Sequence, residues 1–443
     1  MDAAPCSSAS GRVAGQRWPL SRSDGTSAHR DASTLPNVTP EQTLILALNG
    51  GSSSIKVVAY AADSRERLLR GAIDRIGQRD ATLTLTDRTG LADARVVDAT
   101  CHADAAVLLL EVLEAAIPLS SVIGVGHRVV DGGARHTGPE RITDELVDDL
   151  RHASRFAPAH LPAEIAMIDI ARKRMTRAVH VACFDSTFHR MMPRVAKNFP
   201  LPRRLQALGV ERRGFHGLSF AFLMQELERV AGADVSRGRV ILAHLGAGSS
   251  LAAVHEGVGI DTTMGFTPAG GLPMGTRAGD LDPGLVLYLT QTEGMSATQF
   301  DEMVNRQSGM LGVSETSGDV RALLAAEATD ERAAEALAMF CYHVRKGIGA
   351  YAAALGGVET LIFTGGIGEN APQIRSRICC GLEFLGVQLD RGRNEASAAV
   401  ISVAEARVAV RVMRTDEEVM IAEAVRALLP RRELVEASRG SPG

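Results

Sequence analysis

The sequence predicts an α/β fold made of two similar halves with a cleft between them. Segments 44–60 and 240–254 each contain an apolar run, a Gly/Ser turn and a second apolar run, a pattern typical of strand, turn and returning strand. Predicted helices alternate with strands along the chain, which indicates the α/β class. Because the two copies lie about half a chain apart, they predict a duplicated domain whose turns face each other across a ligand cleft.

In the first copy, a strand at 44–48 leads through the turn 49–54 into a returning strand. In the second copy, the matching turn is 246–250. Aligning Gly51 with Gly248 places a Ser-Ser pair after each glycine, which supports the duplication. Clear helical stretches are predicted at roughly 103–116, 141–152, 162–174, 218–230, 331–355, 372–385 and 416–428.

Length and composition favour two globular domains. The chain has 443 residues, more than one ordinary core requires, with 45% hydrophobic and 23% charged residues. Its formal net charge of -4 gives no electrostatic reason to expect nucleic acid or an anionic membrane as partner. The six cysteines form no C-x-x-C pair, which argues against a zinc site or a disulfide framework and favours reduced thiols in the cytoplasm. The sequence contains no run of 18 apolar residues, so no membrane span is predicted.

Composition also suggests domain boundaries. Residues 1–42 lack apolar periodicity and are predicted to be a disordered extension, as is the tail 433–443. The first domain is predicted to cover 43–187 and to regain a helix within 414–432. The second, nucleotide-binding domain is predicted to cover 188–413.

Three Gly-rich turns are candidates for phosphate binding, because they expose backbone N–H groups that no ladder uses. The third is 363–370, after a strand at 360–362 and ahead of a helix that begins at Pro372, where the helix N-terminus suits an anion. One such turn is explained equally well by hairpin geometry, whereas three favour phosphate. The chain contains no G-x-x-x-x-G-K-[ST] and no G-x-G-x-x-G, which argues against P-loop NTPases, Rossmann dehydrogenases and protein kinases.

Polar and charged groups also cluster in five short segments. These are 126–133, 156–160, 184–189, 213–217 and 261–283. Taken singly, each is a turn with a solvated charge. Together they supply Arg128, Arg277, Asp185 and several histidines to a chain that already offers three candidate phosphate loops.

These motifs resemble the acetate kinase family, within the superfamily of acetate and sugar kinases, Hsp70 ATPase domains and actin. Segment 49–56 is similar to N-x-G-S-S-S-[hydrophobic]-K, 266–283 to G-F-T-P…M-G-T-R-x-G-D-x-D-P, and 363–370 to F-T-x-G-I-G-E-N. The resemblance covers about 43–430. It implies two actin-like (ribonuclease H-like) domains with a nucleotide cleft between them. It also implies a homodimer and the Mg²⁺-dependent, reversible transfer of the ATP γ-phosphoryl group to acetate.

The resemblance implies a role for each residue that matches a family motif. Two would organise Mg²⁺: Asn49 and Glu417. Those implied in catalysis are Arg128, Asp185, His216 and Arg277, with His216 and Arg277 stabilising the transition state. Those implied in acceptor binding are Arg128, Val130, Phe215 and Pro268. Those implied in ATP binding are Lys56, Ser52, Ser54, His244, Gly246, Gly248, Asp319, Val320, Arg321, Gly366, Ile367, Gly368, Glu369 and Asn370. His160 would join His216 and His244 in hydrogen bonding to the transferred phosphoryl group.

Elementary chemistry agrees with these roles. The acceptor carboxylate is already an anion, so it must be brought to an anionic phosphate, and arginine binds both groups with its planar fork. A carboxylate acceptor carries no proton at neutral pH, so no general base is needed. We therefore expect Asp185 to orient Mg²⁺ through water or to hold an arginine.

Three departures from the family pattern keep alternatives open. Ala247 replaces an asparagine in the second Gly/Ser turn, and Asp131 replaces a histidine after the first arginine. Ala159 replaces a leucine beside the expected acyl pocket, which would widen it for propionate or butyrate. A non-catalytic nucleotide-binding protein of the same superfamily is the third reading.

Overall fold

The computed structural model describes residues 42–51, 53–133, 135–154 and 160–430. The predicted extension and tail fall outside these ranges apart from Gln42, and so does Ser52. None of the helices in the described ranges combines the length and apolar character needed to cross a membrane.

The first half of the chain is built on an eight-stranded sheet. Its strands are β1 (Leu44–Gly50), β2 (Ser54–Ala61), β3 (Arg67–Asp74), β4 (Thr82–Asp87), β5 (Ala92–Val96), β6 (Val122–Val129), β7 (Glu140–Arg141) and β8 (Val179–Phe184). Their order across the sheet is β5-β4-β3-β2-β1-β6-β8-β7. β1 pairs antiparallel with β2 and parallel with β6. Every residue of β1 is buried, in agreement with the unbroken apolar run in its sequence.

The second half is built on a five-stranded sheet with the same plan. Its strands are β9 (Val240–Leu245), β10 (Ser249–His255), β11 (Val258–Thr262), β12 (Thr360–Thr364) and β13 (Ala409–Val412), in the order β11-β10-β9-β12-β13. Both the order and the strand directions match β3-β2-β1-β6-β8 of the first sheet. This match confirms the predicted α/β class and the duplication. The domain boundaries themselves stay a prediction.

Helices cover the two sheets and connect their strands. They are α1 (His102–Ala116), α2 (Asp144–Ala153), α3 (Leu161–Arg174), α4 (Arg194–Lys197), α5 (Arg203–Ala207), α6 (Gly217–Ala231), α7 (Ala233–Arg237), α8 (Gly284–Thr292), α9 (Ala297–Arg306), α10 (Gly309–Ser314), α11 (Val320–Ala326), α12 (Glu331–Leu355), α13 (Gly365–Asn370), α14 (Pro372–Cys379), α15 (Arg391–Glu395) and α16 (Glu417–Leu428). The long predicted helix at 331–355 matches α12, which Asp330 caps at its start and Gly356 ends in the left-handed region. The stretch predicted at 372–385 is shorter in the structure, because α14 ends at Cys379 and only a 3₁₀ turn follows at Glu383–Leu385.

The C-terminal helix α16 lies on the first sheet although it follows the second in sequence. Ile421 and Val425 pack onto β6 at two positions without side chains. A Cβ at Gly126 would lie 2.3 Å from Ile421, and one at Gly124 would lie 2.4 Å from Val425. The two glycines therefore allow close packing that brings the start of α16 to the edge of the sheet.

Candidate active site

One polar cleft, with a volume of about 440 Å³, is lined by residues from both halves of the duplicated fold. The sequence-predicted site residues among its walls are Asn49, Ser54, Lys56, Arg128, Val130, His160, Phe215, His216, His244, Gly248, Pro268, Arg277, Gly366, Glu369 and Glu417. Ser54 and Lys56 reach it from β2, where Lys56 is the register partner of Asn49. The strand–turn–strand unit thus delivers its polar residues to one place.

Asn49 joins the end of β1 to the start of α16. Its side-chain amide donates to Glu417 Oε2 at 2.9 Å and to Glu418 Oε1 at 3.0 Å. Burial raises the pKa of Glu417, and the nearby charge of Asp185 raises it further, against the opposing charge of Arg128. Glu418 also lines the cleft and was not predicted.

Arg128, at the end of β6, is held by Asp185 in a buried ion pair. Its Nε and Nη2 donate to Asp185 Oδ2 at 3.1 and 2.5 Å, and its Nη1 donates to the Gly50 carbonyl at 2.6 Å. Burial alone would lower the pKa of this guanidinium, but the charges of Asp185, Glu417 and Glu164 raise it overall. Asp185 therefore holds an arginine, which is one of the two arrangements expected from the sequence.

The oxygen donors at this end of the cleft fit Mg²⁺. Asp185 does not line the cleft, but its Oδ1 is buried and has no hydrogen-bond partner among the described residues, and Glu417 and Glu418 line the cleft with Asn49. Within the described ranges, no three His, Cys, Asp or Glu side chains close around a common point. Mg²⁺ in kinases is bound by one or two carboxylates together with substrate phosphates and water, so a complete protein cage is not required. The donor set fits that arrangement.

Two stacked histidines form the floor of the cleft on the second-half side. The rings of His216 and His244 lie 4.1 Å apart at 18°. Their Nδ1 atoms lie 2.9 Å from the hydroxyls of Ser250 and Ser219, respectively. Burial lowers the pKa of His244 to about 4 and that of His216 well below its ordinary value, where His244 adds to the effect. Both imidazoles are therefore neutral at pH 7 and are suited to hydrogen bonding rather than to charge neutralisation.

Arg277 lies across the cleft from Arg128. Its Nη1 donates to the Pro268 carbonyl at 3.3 Å, and a Cβ at Gly248 would lie 3.5 Å from the same atom. Burial lowers the pKa of Arg277 and the charge of Arg128 lowers it further, while no acidic group in the described part of the chain offsets these effects. A buried cation without a counter-charge favours an anionic ligand.

The expected acyl pocket is an apolar wall beside the two arginines. Val130 and Phe215 are buried in one core cluster and line the cleft, as does Pro268. Met264 belongs to the same cluster and the same wall, and the sequence analysis missed it. Ala159, on which the widening of the pocket was argued, lies outside the described residues.

The second Gly/Ser turn reaches the cleft with Ala247 and Gly248. Gly246 does not line it, but its N–H donates to the Gly248 carbonyl at 3.0 Å and closes the turn. A Cβ at Gly248 would lie 3.2 Å from His216 Nε2, so the turn and the histidine are in close contact. Because alanine stands at position 247 where the family pattern has asparagine, the cleft wall lacks a side-chain amide at this point.

The third Gly-rich segment corrects the sequence prediction, because it is the short helix α13 and not a loop ahead of a helix. Gly365 has a φ of +77°, and a Cβ there would lie 2.6 Å from the Leu245 carbonyl, so glycine is required. The Glu369 side chain accepts from the Gly365 N–H at 3.0 Å, so one of the free N–H groups in the first turn of the helix has a hydrogen-bond partner. Gly366 and Glu369 line the cleft.

The other three residues of α13, Ile367, Gly368 and Asn370, do not line the cleft. Ile367 packs against the core, Gly368 is buried, and Asn370 donates to the Gly366 carbonyl at 3.0 Å. Arg375, which is fully buried in α14, fixes α13 from behind: its Nη1 donates to the Gly368 and Glu369 carbonyls at 2.8 and 3.0 Å. Arg375 was not predicted, because nothing in its local sequence marks it.

Besides Gly246 and the three residues of α13 just described, three more predicted ATP-binding residues do not line the cleft: Asp319, Val320 and Arg321. Asp319 caps α11 by accepting from the Arg321 N–H at 2.9 Å, and its carboxylate pairs with the Arg321 guanidinium. Val320 is buried. The preceding Gly318 contacts Gly275, where a Cβ would lie 3.1 Å from the Gly318 carbonyl and 3.8 Å from the carbonyl of Ala247, which does line the cleft.

Asp131, which stands where a histidine was expected, is buried and does not line the cleft. Its Oδ1 accepts from the Gly133 N–H at 3.0 Å and from the Ser186 hydroxyl at 3.1 Å. Burial raises its pKa, and Arg213 lowers it. The presence of Asp131 in place of histidine therefore affects the hydrogen bonds that hold the segment after Arg128, and it does not affect the surface of the cleft.

Comparisons with known proteins identify the family of the chain. A sequence model described as the Acetokinase family matches residues 44–423. The chain is 42% identical over 389 residues to an acetate kinase of Rhodopseudomonas palustris (strain TIE-1), covering 86% of this chain and 97% of the relative. It is 39% identical over 388 residues to a propionate kinase of Citrobacter rodentium (strain ICC168), covering 86% and 96%.

Solved structures show the same fold. The crystal structure of Porphyromonas gingivalis acetate kinase is similar with a TM-score of 0.78 and 36% identity, covering 88% of this chain and 100% of that one. A propionate kinase from Francisella tularensis subsp. tularensis SCHU S4 is similar with a TM-score of 0.81 and 31% identity, covering 87% and 100%. These similarities confirm the two-domain actin-like fold. Because the family match spans most of the chain, this protein belongs to the acetokinase family.

Proposed function

We propose that this protein transfers the γ-phosphoryl group of ATP directly to acetate, giving acetyl phosphate and ADP in a reversible, Mg²⁺-dependent reaction. The observation that carries the proposal is the pair of arginines in one cleft. Arg128 is anchored by Asp185, whereas Arg277 has no counter-charge in the described part of the chain. Two anions, a carboxylate and a phosphoryl group, match these two cations.

The acceptor would bind where Arg128 and the apolar wall meet. Val130, Phe215 and Pro268 would hold its methyl group, with Met264 as a further wall residue. The carboxylate would face the guanidinium and needs to lose no proton. The protein therefore has to position the two reactants in line and to neutralise charge, which is how phosphoryl transfer is usually catalysed.

The phosphoryl group would pass between Arg277 and the histidine pair. Neutral His216 and His244 donate hydrogen bonds without adding a third positive charge, while Arg277 meets the charge that spreads over the equatorial oxygens. Asn49 and Glu417 would hold Mg²⁺, which supplies charge neutralisation on the nucleotide phosphates when bound.

The nucleotide would lie along the Gly-rich segments and the β2 face. Lys56 and Ser54 flank the phosphate path, with Gly248 and Gly366 on the opposite wall. We include Asp319, Val320 and Arg321 in the adenosine site on family grounds alone, because they do not line the cleft in this conformation.

Propionate is the second candidate acceptor. Propionate kinases are nearly as similar to this chain as acetate kinases, at 39% against 42% identity. Kinetic measurement with acetate, propionate and butyrate, following ADP release and trapping the acyl phosphate as a hydroxamate, tests the proposal. We expect the highest kcat/KM for acetate. Tight ATP binding without transfer to any of the three acids would instead support a non-catalytic role.

The Val130→Ala variant tests the acyl wall. Because the change opens space beside the methyl group, we expect the propionate-to-acetate ratio of kcat/KM to rise about tenfold, the lower end of what one methylene is worth. Val147→Ala is the matched control, since Val147 is buried in the same core cluster but does not line the cleft. An unchanged ratio in Val130→Ala would contradict the pocket assignment. Ala159→Leu probes the expected widening, and a rising preference for acetate would support it.

We further propose a cytoplasmic homodimer, which the family resemblance implies. Helix α8 is the candidate contact surface, because it exposes four consecutive apolar side chains: Leu285, Val286, Leu287 and Tyr288. A contiguous patch of this kind on a globular protein marks an interaction site.

Light scattering coupled to size-exclusion chromatography tests this surface. We expect the wild type to elute with the mass of two chains and Leu287→Glu with the mass of one, because a buried unpaired charge opposes association. Phe384→Glu is the control, since Phe384 is 73% exposed and lies outside the patch. A dimer that survives Leu287→Glu would move the interface elsewhere.

A further inference from the structure

A buried carboxylate stands behind the acceptor site and has no role in the mechanism above. Glu164 lies in the first turn of α3, is 4% exposed and borders a small cavity next to the cleft. Gly51 and His160 line both the cavity and the cleft, so the two spaces adjoin. Glutamate is rarely buried unless it is paired.

Glu164 contacts both parts of the acceptor site. Its Oε2 accepts from the Val130 N–H at 2.9 Å, which fixes the backbone of the apolar wall. Its Oε1 lies 3.8 Å from Arg128 Nη1 and has no hydrogen-bond partner in the part of the chain that the structure describes. The side chain therefore supports the wall through a hydrogen bond and faces the arginine with an unsatisfied oxygen.

Charged and titratable groups face Glu164 from several elements. Arg128 on β6 attracts its charge, while Asp131 after β6 and Asp185 after β8 oppose it. His102 of α1 and His160 ahead of α3 line the cavity beside it. Burial raises the pKa of Glu164 to about 7, with the charge of Arg128 and the Val130 N–H working against that rise. The group therefore changes charge near neutral pH.

We propose that Glu164 is a positioning residue for the acceptor, and that its neutral form is the one in which Arg128 accepts the anionic substrate. An ionised Glu164 would compete for the guanidinium and repel a second carboxylate placed against it. A neutral Glu164 still accepts from the Val130 N–H and keeps the wall in place. This inference rests on the proposed function, since it takes Arg128 and Val130 as the acceptor site.

Acceptor binding as a function of pH tests the inference. Calorimetric titration of acetate into the protein with ADP present, together with the KM for acetate, is measured between pH 6 and 8. We expect affinity to weaken roughly tenfold as pH rises through 7, the scale of one close charge interaction. Acetate itself stays ionised throughout this range. The kcat at saturating acetate should change far less than KM.

Glu164→Gln separates charge from structure. Glutamine keeps an oxygen for the Val130 N–H and stays neutral, so the affinity should be constant between pH 6 and 8 and close to the wild-type value at pH 6. Proton equilibria of the nucleotide affect both proteins alike, so the difference between them is the readout. Glu145→Gln, an exposed change on α2, is the matched control and should retain the wild-type slope. Glu164→Ala leaves the Val130 N–H without its partner and should bind acetate more weakly at every pH.

Each result decides the inference. A flat wild-type profile overturns it even where a variant fails to fold, and so does a Glu164→Gln profile that parallels the wild type. Binding with the expected pH dependence but without phosphoryl transfer supports Glu164 and contradicts the proposed kinase activity. Normal phosphoryl transfer with an acetate affinity that does not depend on pH supports the proposed kinase activity and contradicts the role of Glu164. If the protein neither binds acetate nor transfers the phosphoryl group, both proposals are contradicted.

Discussion

Replacing Arg277 by alanine is expected to lower kcat by about 10³- to 10⁵-fold, the range that a transition-state arginine contributes to phosphoryl transfer. The reason is its environment: Arg277 is a partly buried cation whose pKa burial and the charge of Arg128 lower, and no acidic group in the described residues compensates it. Its charge is therefore available to an anion that forms only during the reaction. KM for acetate should change less, because Arg128 and the apolar wall remain.

The measurement is steady-state ADP release with saturating Mg²⁺, ATP and acetate. Arg277→Lys should recover little activity, because an ammonium group cannot reproduce the planar fork. Arg391→Ala is the matched control: that guanidinium is 92% exposed and pairs only with Glu395 on its own helix. Activity of Arg277→Ala within tenfold of the wild type would remove Arg277 from the transition state.

The second large effect is on stability. Arg375→Ala is expected to lower the free energy of unfolding by about 3–5 kcal/mol, because several buried acceptors lose their donor and each costs about 1–3 kcal/mol. The side chain is fully buried and also donates to the Asn394 Oδ1 and carbonyl oxygens, each at 2.8 Å. Its loss removes the donor from Asn394 Oδ1 and from the Gly368 and Glu369 carbonyls, whereas the Asn394 carbonyl still accepts from the Ser397 N–H at 3.0 Å.

Urea denaturation followed by circular dichroism measures this loss. Arg377→Ala is the control on the same helix, since its half-exposed pair with Glu327 should contribute no more than about 1 kcal/mol. Because Arg375 fixes the helix that carries Gly366, the KM for ATP should also rise in the variant. Equal stability of the two variants would show that α13 is held by its own short-range contacts.

The duplication and the cleft could be predicted because they have local signatures. The apolar run of β1 and its Gly/Ser turn specify strand and turn by composition alone, and the same signature recurs at β9 and β10. Arg128, Asp185 and Arg277 were found because charged residues in Gly-flanked turns are unusual, and the family motifs identify them.

What the sequence could not predict depends on tertiary contacts. A Gly-rich segment has weak helix propensity, yet Glu369 and Arg375 satisfy the backbone groups of α13 and make it helical. A glutamate in the first turn of a helix is normally solvated, so nothing local marks Glu164 as buried beneath Arg128. Asp319 matches a family motif, but its side chain caps a helix in this structure.

The position of α16 has a consequence for biosynthesis. Glu417 and Glu418, which we propose serve the metal end of the cleft, are encoded after the thirteen strands of the described ranges, and Gly124 and Gly126 leave space on β6 for the helix that carries them. A nascent chain that has completed both sheets still lacks these carboxylates while its last helix is in the ribosome exit tunnel. Phosphoryl transfer would therefore begin only after α16 has docked on β6, and a chain that lacks this helix would be unable to consume ATP.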